Sequence, residues 1–387
     1  MDFSSPQWLG GGGGATRGFY AGGSLGPWVS AAFGEKVNFY FSGKVSFSQA
    51  FDAGSSGIET GKMTWQPVLE RLELNFRPLR SVYLTLGRQQ FRDGAGMISS
   101  GAFDGLAGSF GLGRLRLSGG AFYTGWLFKD TAAILMTGQD SDHYNKPLDY
   151  GNFLDTYFAS RRALAYLALD FPDLSSRTSL NVFALGQFDL NDGAESAFHT
   201  QYLEARWGLE PLDVLRFAVT AIGELAESGG QDLRGGLAAA FGLDWEFPGR
   251  LADLLSLELR WGSGAVNRFI GPFDPVSGIA QGFVFTPTLS GTMNARASYT
   301  ARLHSTLSMS MDGVFFMRTD TETFQNAALD AASAERILGT EVYGRLIWAP
   351  QSVLRLNVGG GVFFPGGAFA AGTPLWWNVQ AALVLSL

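Results

Sequence analysis

Residues 375–387 read LWWNVQAALVLSL, and their alternation decides the fold class. Trp377, Val379, Ala381, Leu383, Leu385 and Leu387 share one face. Asn378, Gln380 and Ser386 share the other, with Ala382 and Val384 between them. Successive side chains of a strand point to opposite sides, so period two over a dozen residues predicts one apolar and one more polar face. A strand of a soluble sheet runs about 5–6 residues. A strand that crosses a bilayer at a tilt needs about 9–11, with its apolar side on lipid and aromatic rings at the interface. The stretch has the second length.

Composition agrees. Of 387 residues 46% are hydrophobic, yet no run approaches the ~18 consecutive apolar residues of a transmembrane helix. Only 16% are charged, while Gly reaches 52 and Phe 32, which suits a barrel whose glycines relieve crowding and whose rings sit at headgroup level. Cysteine is absent, as suits transit through an oxidising compartment. The net charge of −7 speaks against a nucleic-acid partner, which calls for a basic face. The opening MDFSSPQ has no basic region before an apolar run, so the numbering is expected to start on a mature or re-engineered chain.

Working back from the end, the chain divides into a flexible Gly-rich segment at 1–15 and one barrel domain at 16–387. Two Gly-interrupted strands are expected at 17–22 and 28–33, then a clearer one at 36–50. Hairpins follow at 65–76 with 81–91 and at 104–110 with 114–124. They resume at 162–171 with 178–189, 202–209 with 215–225, 233–247 with 254–262, 292–300 with 306–318, and 339–348 with 353–363. Pro78, Pro172, Pro211, Pro248 and Pro350 mark tight turns, whereas 125–158, 263–288 and 320–335 are long aperiodic connections. Short turns on one rim and long loops on the other are the pattern of a transmembrane up-and-down antiparallel β-barrel. Counting gives about 18 strands, with 16 the alternative. Residues 125–158 keep Phe128, Leu135, Met136 and Tyr144, which predicts a loop that folds partly into the barrel mouth.

The polar faces carry charge. Glu204 and Arg206 alternate with Leu203, Ala205 and Trp207; Glu258 and Arg260 alternate with Leu257, Leu259 and Trp261; Arg71 and Glu73 form a third couple. Arg116, Arg216, Glu224, Arg234, Asp244, Glu246, Arg296, Asp312, Glu341, Arg345 and Arg355 also fall on polar faces. Arg or Lys facing lipid near the midplane costs about 2–4 kcal/mol, so these residues are expected to line the lumen. They would stiffen the wall as cross-strand pairs and line a wet passage. Their signs nearly cancel, which predicts weak ionic selectivity and a preference for neutral or zwitterionic polar solutes. Tyr83, Tyr202 and Tyr343 on the same faces could offer stacking surfaces to sugar rings.

Residues 84–110, LTLGRQQFRDGAGMISSGAFDGLAGSF, contain a strand ending in Gly87, Arg88 and Gln89 and a strand opening on Asp104 and Gly105. The segment resembles the alginate-export-like family of outer-membrane porins, in which Gly-Arg-Gln tops one strand and Asp-Gly begins the next. That resemblance implies an 18-stranded monomeric barrel for diffusion of anionic or carbohydrate solutes. A final amphipathic strand is likewise similar to the closing strand of outer-membrane barrels, which the assembly machinery reads; Leu387 departs from its usual aromatic end.

Catalytic and metal readings are thin. Among the three histidines, only His199 with Asp189, Asp192 or Glu195 forms a candidate acid–base group. Asp140, Asp142 and His143 lack the regular ligand spacing of a Ca²⁺ loop. No Gly-Lys-Ser/Thr phosphate cradle follows the glycine runs. No catalytic site, metal or cofactor is therefore expected. The reading is an outer-membrane channel embedded in the lipid bilayer, passing small polar or carbohydrate-like solutes. Its alternative is a barrel with an occluded lumen whose loops or turns dock protein partners.

Overall fold

The computed structural model describes residues 2–11, 18–54, 57–61, 63–132, 134, 140, 144, 146–191, 197–229 and 233–386. The strands are β1 Asp2–Gly11, β2 Gly18–Leu25, β3 Trp28–Phe33, β4 Val37–Gly54, β5 Gly57–Thr60, β6 Thr64–Leu79, β7 Val82–Arg92, β8 Ser100–Leu112 and β9 Leu115–Tyr123. They continue with β10 Arg162–Ser175, β11 Thr178–Asp189, β12 Phe198–Leu212, β13 Leu215–Ser228, β14 Arg234–Phe247 and β15 Asp253–Gly262. The last are β16 Thr292–His304, β17 Leu307–Arg318, β18 Ile337–Gln351, β19 Leu354–Pro365 and β20 Trp376–Leu385. β2 and β3 lie end to end along one side of β4, and β5 and β6 along the other. These segments therefore make 18 antiparallel strands in one up-and-down sheet of the transmembrane-barrel kind.

Two expectations about the start of the chain are corrected. Asp2–Gly11, read as part of a flexible lead-in, is a strand paired with β20 on one side and β2 on the other. Its register slips between Ser4 and Gln7, around Pro6, which breaks the alternation a strand would otherwise show. Conversely, the strands expected at 17–22 and 28–33 are two parts of one strand along β4, interrupted at Gly26–Pro27. The two errors offset in the count. Residues 12–15 lie outside the described residues.

The prolines are placed by what they lack. Pro78, Pro172, Pro211 and Pro350 each fall where the register slips just before a short turn. A residue without an N–H is tolerated at such a bulge because no ladder donor is lost there.

Alternation divides each strand into two faces. Leu203, Trp207, Leu257, Leu259, Val379 and Leu383 are exposed on the outside. The opposite faces turn inward, where the connections 93–99 and 263–291 fold back and build two apolar clusters with inward-facing wall residues. One contains Met97, Ile98, Phe122, Phe183 and Phe273; the other contains Phe285, Phe316 and Phe363. The chain has no native cysteine, so single cysteines can report each face. A spin label at Leu257→Cys should be open to a lipid-soluble quencher, and one at Glu258→Cys should not; equal quenching would contradict the barrel.

Candidate functional site: the constricted lumen

Three inward carboxylates hold the inward connections. Glu341 on β18 is fully buried, and its carboxylate accepts from the backbone N–H groups of Phe283 (2.7 Å), Val284 (2.9 Å) and Phe285 (2.7 Å). Glu224 on β13 accepts from the N–H of Asp274 at 2.8 Å. The side chain of Asp274 pairs with Arg234 on β14 and accepts from the Ser290 hydroxyl at 3.0 Å; its backbone carbonyl accepts from the Tyr202 hydroxyl. Burial pushes the Asp274 carboxyl above the usual carboxylate range, although Arg234 and the Ser290 hydroxyl pull the other way. Glu204 on β12 accepts from the N–H of Ala95 at 3.1 Å, while Arg206 donates to the carbonyl of Gly94 at 2.8 Å. Charge-assisted bonds of this kind are roughly twice as strong as neutral ones.

The two connections also meet each other. Ser277 donates its N–H to the Ile98 carbonyl at 3.0 Å, and its hydroxyl accepts from the Ser100 N–H at 3.0 Å. Asp93 caps the turn between them by accepting from the N–H groups of Met97, Ile98 and Ser99. The result narrows the lumen from two sides.

Polar space remains on both walls. A cavity of about 740 Å³ is bordered by Arg206, Arg216, Asp244, Glu258 and Arg296, reaching the short turns around Arg177 and Glu210. Another of about 570 Å³ is bordered by Lys44, Gln66, Arg345, Arg355, Asn357 and Gln380. Phe283 stands at the constriction with its ring stacked on Tyr343, centroids 4.4 Å apart, and the Arg296 guanidinium 4.7 Å from its centroid. Arg345 lies 5.9 Å from the same ring.

The expected pore charges separate by accessibility. Glu73, Glu204, Glu224, Asp312 and Glu341 are buried, whereas none of Arg71, Arg116, Arg206, Arg216, Arg234, Arg260, Arg296, Arg345 and Arg355 is. Arg71–Glu73, Arg260–Glu258, Arg296–Asp312 and Arg216–Glu246 are ion pairs of 2.7, 2.8, 2.7 and 3.0 Å. Arg116, Arg345 and Arg355 have no carboxylate at ion-pair distance among the described residues. The near-cancellation counted along the chain therefore does not hold everywhere: the larger cavity mixes both signs, whereas the one bordered by Lys44, Arg345 and Arg355 is basic.

The Gly87, Arg88, Gln89, Asp104, Gly105 group is a joint in the wall. The β6–β7 ladder stops at Leu72 opposite Arg88; beyond it β6 pairs only with β4 and β7 only with β8. Gly87 sits at the bend with φ +112°, and a Cβ there would lie 2.0 Å from the Leu72 carbonyl oxygen. A Cβ on Gly105 would meet the Ala121 carbonyl at the same distance. Arg88 spans the split: it grips both Asp104 oxygens at 2.8 and 2.7 Å and donates to the carbonyls of Leu69 (2.8 Å) and Trp126 (2.7 Å). Gln89 donates to the carbonyls of Thr85 and Gly105.

Described residues of the connection 125–158 reach that split. Tyr157 donates to the Pro67 carbonyl at 2.8 Å, Tyr150 donates to the Trp65 carbonyl, and Gln66 reaches Asp130. Leu127 and Phe128 are buried there; Leu135 and Met136 lie outside the described residues. A fully buried Arg162 on β10 ties the same connection down through Asp140 and Asp189. Sequence reasoning missed this anchor because Arg162 and Asp140 are 22 positions apart with no shared pattern.

His199 accepts from the Asp189 N–H at 3.1 Å through Nδ1, a structural contact; Asp142, His143, Asp192 and Glu195 lie outside the described residues. Tyr83 donates to Asn75, and Tyr202 is buried under Asp274.

No protein-family model and no curated protein matches the chain. Solved structures do. Pseudomonas aeruginosa OccK2 (OpdF) is 13% identical, with 100% of this chain and 96% of that chain covered and a TM-score of 0.60. Pseudomonas aeruginosa OccK7 (OpdD) is 11% identical over 99% and 96%, TM-score 0.59. The outer membrane protein OprD from the same organism is 10% identical over 98% and 93%, TM-score 0.50. The likeness is one of fold.

Replacing Glu341 by Ala would leave three N–H groups without their acceptor, and the buried one, of Phe285, would cost about 1–3 kcal/mol. The connection 263–291 should then leave the wall. Protease cleavage within it should rise and single-channel conductance should increase, with Glu341→Gln intermediate; unchanged cleavage and conductance would show that Glu341 does not hold the constriction.

Proposed function

We propose that the chain is an outer-membrane channel through which small polar solutes diffuse passively. The observation that carries this reading is the coexistence of an apolar outer face with polar cavities on both inner walls, separated by a constriction that side chains pin in place. A barrel built only as a scaffold has no need of accessible arginines inside. The fold likeness to Pseudomonas outer-membrane porins supports the location and the class. A finer placement in the alginate-export-like group rests on the Gly87–Gln89 and Asp104–Gly105 motif alone.

Burial of the acids refines the selectivity expected from the bare sequence. A solute near Phe283 meets Arg296 and Arg345, and farther along one wall Lys44 and Arg355. Small anions should pass more readily than cations. Fields from accessible charges are screened as the Debye length falls from about 10 Å at 0.1 M salt to 3 Å at 1 M. In planar bilayers the reversal potential should therefore show anion preference at low salt that fades at high salt, and Arg345→Gln with Arg355→Gln should reduce it. Cation preference at low salt would overturn the assignment of charge. Absence of any stepwise current would favour the occluded, partner-docking barrel.

A further inference from the structure

A third cavity, of about 570 Å³, lies between the connections 263–291 and 319–336 on the long-loop rim, beside the residues that form the constriction. Its size is that of a small-ligand pocket, typically about 300–1,000 Å³. Three aromatic side chains border it: Phe285, Phe324 and Trp376. Phe285 meets the other two nearly edge-on, with centroids 5.9 and 5.7 Å away. Val284 and Pro287 add apolar surface, and hydroxyls and amides come from Thr286, Thr288, Ser290, Thr323, Gln325 and Asn326. Asp274 is its one ionisable residue, and that carboxylate is already engaged by Arg234 and Ser290.

From this lining we infer that the cavity is a recognition site for a saccharide, held at the outer side of the constriction. The inference rests on the channel reading and names a solute class for it. A sugar ring presents C–H groups on one face and hydroxyls around its edge. Aromatic rings bury the first with little loss of side-chain freedom, and hydroxyls and amides, which donate and accept, match the second. A pocket without free charge discriminates by hydroxyl pattern and leaves charge to the arginines deeper in the lumen. The pocket also has a defined relation to the constriction. Val284 and Phe285 border it while their N–H groups bind Glu341, so the pocket shares the segment that carries the Phe283 stack.

The test uses the purified full-length barrel in detergent, with maltose as the probe and acetate as the control. Titration should change the tryptophan emission and give heat in calorimetry, and the emission change should disappear in Trp376→Phe. Phe324→Ala should weaken maltose about tenfold, the loss of about 1.4 kcal/mol. Thr286→Val, an isosteric change at an exposed position, should weaken it with the fold intact. Acetate should give no signal at the same concentration. Maltose binding that is absent, or present but unaltered by all three substitutions, would overturn the site. Planar-bilayer currents from the same preparation separate the two claims. A conducting barrel that ignores maltose loses the pocket and keeps the channel; a silent barrel that binds maltose keeps the pocket and loses the channel.

Discussion

Hydrocarbon offers no hydrogen bonds, so every backbone group that enters it must be paired by the protein itself. Everything else in this molecule answers to that demand. It forces the meander, because an up-and-down sheet gives each strand two neighbours. It explains why the stretch DFSSPQWLGG becomes β1 between β20 and β2. It also dictates what happens where the ladder fails. At the β6–β7 split the exposed carbonyls of Leu69, Pro67 and Trp65 are met by Arg88, Tyr157 and Tyr150. Arg88 suits the junction because its planar fork can grip Asp104 and still reach two further carbonyls, which a lysine ammonium could not do with the same geometry.

The same accounting governs the inside. A connection that folds into the lumen leaves water and carries unpaired N–H groups with it. Glu204, Glu224 and Glu341 accept them, and aromatic packing around Phe273 and Phe285 covers the remaining apolar surface. The constriction is thus a set of loops held by wall side chains rather than a narrowing of the wall. Its width can be altered by single substitutions that leave the ladder untouched.

Much of this was legible in the sequence, and the limits have physical causes. Period two placed Leu257 outside and Glu258 inside, because sheet geometry alone dictates it. Prolines marked the short turns because a residue without an N–H belongs at a bulge. The start of the chain was misread because the register slip between Ser4 and Gln7 breaks the alternation that periodicity detects. The Arg162–Asp140 anchor and the span of Arg88 to Trp126 were hidden for another reason: they join residues related only by the closing of space between distant segments. The Gly87–Gln89 motif was read as a family resemblance; in the structure its local role is to bend and bridge the wall.

The accessibility of charge was the least legible feature, and the asymmetry between acids and bases has a simple origin. A carboxylate only accepts, and inward loops present N–H groups in consecutive runs, as Phe283, Val284 and Phe285 do. One compact acid can absorb such a run and vanish from the surface. A guanidinium only donates, on a long stem, so it can satisfy one carbonyl, as Arg206 does with Gly94, and still keep part of its charge in water. Loops that plug a lumen of mixed charge will therefore bury its acids first. A wall that is nearly neutral by count becomes basic where Lys44, Arg345 and Arg355 border the passage.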